Sequence, residues 1–271
     1  MSRKNREKSP NGVYHVMIRG INKQDIFVDD ADYRIFIKIL KDNIFIQKEF
    51  FKDAKIQSFR LFSYCLMSNH VHLLIQEVDE PLALSMKRIC TRYAIYFNMK
   101  YMRVGHLFQD RFRSEPCNDA NYFFTLVRYI HQNPVKAGIC QTAEQHPWNS
   151  WNEIRCAAGQ PVSVPVAGIC DKEMLFRITD FADLDNMVHA PVPDKDNCID
   201  IDNVRVRIKD DIVRCILVEV CGTDNPSDLS AVDAELQSQA VVRCLSEGAS
   251  INQLSRITGI NRRILNRLAV R

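Results

Sequence analysis

Between Ile56 and Gln76 the chain is built largely from residues that favour strands, and the clearest interruption is the pair Ser68-Asn69. Two β-forming runs joined by a two-residue turn predict an antiparallel hairpin, Ile56 to Met67 followed by His70 to Gln76. Side chains alternate between the faces of a strand, so His70 and His72 point one way while Val71 enters the packing. Two imidazoles about 7 Å apart on one face can converge on one divalent metal. Single histidines near strand ends are usually packing or surface residues, so the pair acquires meaning only from the rest of the chain.

Around this hairpin the sequence predicts further elements. Val13 to Arg19 reads as a first strand closed by Gly20, and apolar residues at near-helical spacing predict a helix from Asp30 to about Phe51. Leu82 to Met102 lacks Gly and Pro and predicts a long helix. Asp119 to His131 predicts another, capped by Asn118 or Asp119 and stopped before Pro134, because a residue preceding proline is biased away from helix. The order of strand, helix, hairpin, helix, helix is that of an α+β domain, an antiparallel sheet covered by helices. Trp148 and Trp151, beside Pro147, are expected to pack back on it.

Composition bounds the rest. With 46% hydrophobic and 25% charged residues in 271, the chain can bury a core without disulfides. Its ten cysteines include no C-x-x-C pair, so they read as reduced and mostly buried. No apolar run approaches the ~20 residues of a membrane span and the N-terminal stretch is charged, so a cytoplasmic protein with no membrane partner is expected. After Arg155 the composition shifts to Gly159, Pro161, Pro165 and Gly168 and then to acidic residues between Asp171 and Asp202. Residues 156–204 are therefore expected to form an acidic linker between a domain of residues 1–155 and a helical one of residues 205–271.

On the helix before Pro134, Tyr129 and Asn133 are one turn apart and share a face, whereas His131 is turned elsewhere. Were that face to meet His70 and His72, a phenol and a carboxamide would join two imidazoles. Such a set suits phosphodiester cleavage. A divalent cation on His70, His72 and Asn133 would polarise a phosphate oxygen, and Tyr129 would attack phosphorus to give a phosphotyrosine. That bond conserves the energy of the one broken, so a second strand can be joined. The bland alternative for Tyr129 is a packing residue of an amphipathic helix.

Basic residues run from Lys87 to Arg113, interleaved with aromatics, a pattern that suits phosphates and unpaired bases. Within it Tyr93, Phe97 and Tyr101 fall at core spacing, Arg88, Arg92 and Arg103 are candidate phosphate contacts, and Arg111 and Arg113 flank an inward Phe112. Near the C-terminus, Ser250 to Leu268 reads as helix, glycine turn at Gly259, and helix, with Ser250 and Asn261 as N-caps. It is similar to helix-turn-helix units, with Arg262, Arg263 and Arg267 on the second helix placed for duplex DNA.

Taken together, Tyr14-His15-Val16 with Arg19-Gly20, Gln24 and Ile26-Phe27, Met67-Ser68-Asn69-His70-Val71-His72-Leu73-Leu74, Gly105 to Phe112, Arg128 to Gly138, and Pro147-Trp148-Asn149-Ser150 form a recognisable set. The chain resembles the single-tyrosine HUH transposases, insertion-sequence-200-like, particularly the REP-associated tyrosine transposases. The resemblance spans roughly residues 10–155. It implies a ferredoxin-like domain with helices on one face of its sheet, which nicks and rejoins single-stranded or hairpin DNA with Mg²⁺ or Mn²⁺. On matching positions it gives His70 and His72 the roles of metal ligands, Tyr129 that of nucleophile and Asn133 that of a third ligand, with Tyr122 the runner-up nucleophile. The family includes monomers and homodimers. The rival expectations are another HUH endonuclease, such as a replication initiator or relaxase, and a domesticated DNA-binding regulator that no longer cleaves.

Overall fold

The protein is described by a computed structural model covering residues 7–48, 51–190, 208, 210–222, 229 and 232–269. The chain divides into two compact units, residues 1–199 and 200–271.

The first unit is α+β, as the pattern predicts. Strand β1 (Val13–Arg19) leads to helix α1 (Asp30–Ile44), a small hairpin of β2 (Phe45–Lys48) and β3 (Phe51–Gln57), then β4 (Phe59–Leu66), β5 (His70–Glu77), helix α2 (Leu82–Lys100), β6 (Arg113–Pro116) and helix α3 (Ala120–Lys136). The main sheet is antiparallel, in the order β4-β5-β1-β6, which is the ferredoxin-like arrangement. Helix α1 starts at a capping box: Asp29 accepts from the Asp32 amide, and Asp32 reaches back to the Asp29 amide. It stops at Ile44 instead of running to Phe51, because Phe45 and Ile46 pair with Gln57 and Ile56. Tertiary strand pairing here overrides the helical spacing.

Alternation along the strands sends the sheet's two faces into separate cores. Tyr14, Val16, Ile18, Leu73 and Ile75 pack against α1 and α2 on one face, where the helices were expected. The other face is not open, however. Val13, Phe62, Cys65 and Leu74 are covered by Phe123, Leu126, Val127, Tyr129 and Ile130 of α3. Helix α3 also passes through Pro134 to Lys136, five residues beyond its predicted end at His131. The proline sits in the last turn, where the missing N–H costs one bond of the ladder and only a few residues remain to be distorted.

The segment 156–204 departs from the expected linker. Through residue 190 it belongs to the first unit: α4 (Trp151–Ala157), α5 (Lys172–Ile178) and α6 (Phe181–His189) place Trp151, Leu175, Leu184 and Val188 in the core beneath α3. Buried Glu153 anchors the chain, accepting from the amides of Ile169 (2.9 Å) and Cys170 (3.1 Å) and from the Tyr64 hydroxyl (2.9 Å). The reason is that the acidic residues here face outward while the apolar ones fall at helical spacing. The acidic stretch from residue 191 to 204 lies outside the described residues.

The second unit contains α7 (Asp210–Cys221), α8 (Ala234–Ser246), α9 (Ile251–Thr258) and α10 (Arg262–Leu268) around their own core of Val213, Leu217, Val241, Leu254 and Leu265. Ser250 caps α9, Gly259 ends it at φ 74°, and Asn261 caps α10. At Gly259 a left-handed residue is required, and glycine adopts it without a Cβ clash.

Candidate active site

Register decides which side chains meet. On the face covered by α3, Arg19 lies opposite His70, Met17 opposite His72 and His15 opposite Leu74. On the other side of β1, Met17 faces Arg113 and His15 faces Glu115 of β6. Helix α3 then lays Tyr129 over the histidines, its ring centroid 5.6 Å from that of His72 and 5.8 Å from that of His15, edge to face in both cases. The His70 and His72 rings are 5.0 Å apart and nearly perpendicular. Residues distant in sequence thus meet, which the spacing had left open, with the Tyr129 side chain 4% exposed.

The polar partners of these groups differ. Nδ1 of His70 faces Oδ1 of Asn69, and Nδ1 of His72 lies 3.0 Å from Nε2 of His15. Glu115 stands 3.7 Å from Nδ1 of His15. His72 is held well below the usual imidazole range, first by burial and then by neighbouring His70 and His15, so it is neutral. A neutral imidazole is the form that can ligate a metal. Its Nε2 is buried with no hydrogen-bond partner among the described residues. Two adjacent nitrogen donors, one of them neutral and unsatisfied, suit a divalent cation. The Lys136 ammonium sits 5.1 Å from the centroid of the Tyr129 ring.

Asn133 is half-buried one turn beyond Tyr129, and its amide nitrogen donates to the Tyr129 carbonyl oxygen (3.0 Å). That attachment holds the side chain along the helix, and Oδ1 is the atom it does not use. His131 points away from this face, as expected: Nε2 is 2.8 Å from Ser150 Oγ and 3.3 Å from Ser63 Oγ, and burial lowers its pKa to about 3. The ring contacts to His15 and His72 are made by Tyr129, whereas Tyr122 packs at the edge of the core below α3.

The basic run on α2 lies on the opposite face, against α1. The Arg88 guanidinium closes on Glu80, Asn43 and Ser58, Arg92 pairs with Asp42 at 3.1 Å, and Arg103 donates to Gln24 at 3.0 Å over the Phe97 ring. These three were expected to grip phosphate. The structure does not bring them to the histidines, and carboxylates already offset the charge of Arg88 and Arg92. Tyr93 and Phe97 are core, as their spacing predicts, and Tyr101 packs against that core. Arg111 and Arg113 are exposed on either side of buried Phe112, and Arg113 reaches the edge of the histidine face. Arg262, Arg263 and Arg267 are exposed on α10.

His15, Arg19, Glu115 and Lys136 were given no role from sequence. A buried histidine or an edge glutamate at the right strand parity is the signal that could have found the first and third. Elsewhere among the described residues, Glu144, Asp185 and His189 form a group with ligand-like spacing. Glu144 there accepts from Trp151 Nε1 (3.2 Å) and lies 2.8 Å from His189 and 3.5 Å from the Arg155 guanidinium, so a cation would have to displace a fixed positive charge.

The first unit is thus an antiparallel ferredoxin-like sheet with a tyrosine helix laid over paired histidines. Residues 8–133 match the family described as "Transposase IS200 like", so this part of the chain is similar to that family of transposases. The matched span contains His15, His70, His72, Glu115, Tyr129 and Asn133. A solved structure described as a REP-associated tyrosine transposase bound to a REP hairpin is similar, at 18% identity and a TM-score of 0.45, covering 67% of this chain and 96% of that one. None of the curated proteins matches the chain.

Proposed function

We propose that this protein is a transposase that cleaves and rejoins single-stranded DNA by transesterification through Tyr129. The observation that carries the reading is the packing of the Tyr129 ring against His72 and His15, with His70 alongside. His70 and His72, with Asn133 through Oδ1, would hold a Mg²⁺ or Mn²⁺ ion. When bound, the ion supplies positive charge that polarises a non-bridging phosphate oxygen.

The chain's own groups do the rest. Tyr129 Oη forms a bond to phosphorus, the bond from phosphorus to the 3′ oxygen breaks, and that oxygen leaves as a 3′-hydroxyl after taking up a proton. A 5′-phosphotyrosine remains, and attack by another 3′-hydroxyl reverses the step on a new partner. The Lys136 ammonium beside the Tyr129 ring would place positive charge near the phosphate under attack. Arg113, exposed at the edge of the histidine face, contacts a flanking phosphate, and Arg111, exposed on the α2 side of Phe112, contacts the strand further along. The α9–α10 unit holds duplex DNA, with the N-terminal end of α10 and its Arg262 and Arg263 in the major groove and Arg267 on the backbone. A hairpin with a single-stranded flank offers both kinds of site.

The test is a covalent adduct. Protein, Mn²⁺ and labelled single-stranded hairpin DNA should yield a protein–DNA species stable to denaturation, and Tyr129→Phe should yield none. Equal adduct from Tyr129→Phe would move the nucleophile elsewhere, with Tyr122 next in line. Tight hairpin binding by the wild-type protein without any cleavage would favour a binding protein.

A further inference from the structure

We propose that His15, backed by Glu115, is a positioning residue that fixes the tautomer of His72, keeping the proton on Nδ1 and the lone pair on Nε2. The inference rests on the reading of His72 as a metal ligand for its consequence, but not for its geometry. His15 is fully buried on β1, its ring stacked on His72 at 5.2 Å and 19°, with Nε2 of His15 and Nδ1 of His72 3.0 Å apart. At that distance one proton lies between the two nitrogens.

The two ways of placing it are not equivalent. If neutral His15 donates from Nε2, its Nδ1 turns a lone pair toward the Glu115 carboxylate, and His72 must carry its proton on Nε2. That places a buried N–H where no acceptor lies among the described residues. If His72 donates from Nδ1 instead, the proton of His15 falls on Nδ1, where the carboxylate of Glu115 attracts it. Nε2 of His72 then presents a lone pair into the site. Either arrangement leaves one buried N–H without a hydrogen bond among the described residues, on His72 Nε2 or on His15 Nδ1, and the Glu115 carboxylate 3.7 Å from His15 Nδ1 selects the second by charge.

His70 reaches the same tautomer by a different acceptor. The Asn69 amide nitrogen donates to the Lys23 carbonyl oxygen (3.2 Å), which orients the amide so that Oδ1 faces Nδ1 of His70. An asparagine on one histidine and a histidine with its carboxylate on the other thus leave Nε2 of each ring as the ligand atom. Outer partners of this kind orient metal-binding imidazoles and set which nitrogen is metallated.

Long-range ¹H–¹⁵N correlation spectra of the metal-free protein, with His72 assigned through His72→Asn, test the tautomer directly. Protonation of His72 on Nδ1 alone is expected. Protonation on Nε2, or His15 present as an imidazolium donating to His72, would overturn the proposal. Mn²⁺ affinity, read by electron paramagnetic resonance, tests the consequence. His15→Leu should weaken it about tenfold or more, Glu115→Gln by less, and His15→Gln should keep most of it, because Oε1 can accept where Nε2 did. Saturating Mn²⁺ should restore adduct formation by His15→Leu, since His15 touches no reacting atom. Unchanged affinity in a folded His15→Leu defeats the positioning role. Should the wild-type protein bind no Mn²⁺, the metal reading fails while the spectrum still decides the tautomer.

Discussion

Asp32 is wholly buried, yet it is charged, and its surroundings explain why it can be. Its carboxylate accepts from the amides of Val28 (2.8 Å) and Asp29 (3.3 Å), the hydroxyls of Tyr96 (2.9 Å) and Tyr101 (2.8 Å), and the Lys100 ammonium (2.7 Å). Burial alone would raise its pKa, but Lys100, the Val28 amide and the two tyrosines outweigh burial and lower it. A depressed folded value means that the unfolded chain binds the proton more readily. The stabilisation is therefore complete above the ordinary carboxylate value of about 4 and fades as pH falls through the folded value. Asp32→Asn should cost about 2–4 kcal/mol in urea unfolding at neutral pH. The gap to wild type should narrow on acidification; a gap of constant size would show that the charge is not what matters. The same residue ties Lys100 into the α1–α2 layer, so this basic side chain is structural.

At the level of elements, the turn before β5 is what aims His70, and Gly20 clamps it. The Gly20 amide donates to the Asn69 carbonyl (2.9 Å), and the amides of Ile26 and Phe27 donate to the Ser68 carbonyl. Its φ of −63° suits any residue, so the requirement for glycine is one of space: a Cβ would lie 2.2 Å from the Gln24 carbonyl oxygen. Gly20→Ala should lower stability by about 1–3 kcal/mol through this overpacking. It should also weaken Mn²⁺ binding, because the Ser68-Asn69 turn must shift. Full Mn²⁺ affinity in a destabilised Gly20→Ala would separate the clamp from the site. On α3 the last turn is the weak point. Pro134 offers no N–H to the Ile130 carbonyl, just beyond a tyrosine that is 4% exposed and must meet a DNA phosphate. Pro134→Ala should restore that bond, slow hydrogen exchange between residues 134 and 138, and slow adduct formation. Slower exchange with an unchanged adduct rate would show that this turn need not open.

Across the whole molecule, the two units carry separate cores and, in the proposed function, separate nucleic-acid contacts. Replacing Arg262, Arg263 and Arg267 together by Ala should weaken duplex binding and flatten its dependence on log salt by about 0.9 for each phosphate that is no longer neutralised. Adduct formation on a short single strand should be unaffected. A loss of single-strand cleavage in that variant would show that the units do not act separately. Several of these features could be read along the chain: the hairpin and its paired histidines, Tyr129 on a helix, the caps at Asp119, Ser250 and Asn261, and the glycine turn at Gly259. Each rests on local periodicity or turn chemistry, which neighbouring residues alone specify. What only the tertiary structure decided depends on pairing between distant segments. Strand register placed His15 beside His72 and Glu115 beside His15, and β2–β3 pairing cut α1 short at Ile44. Packing on the second face turned part of the expected linker into core, and the fold paired Arg88 with Glu80 and Arg92 with Asp42. A sequence carries the charge and parity of such residues, but their partners are chosen by the fold, because contacts across a sheet leave no fixed spacing in the chain.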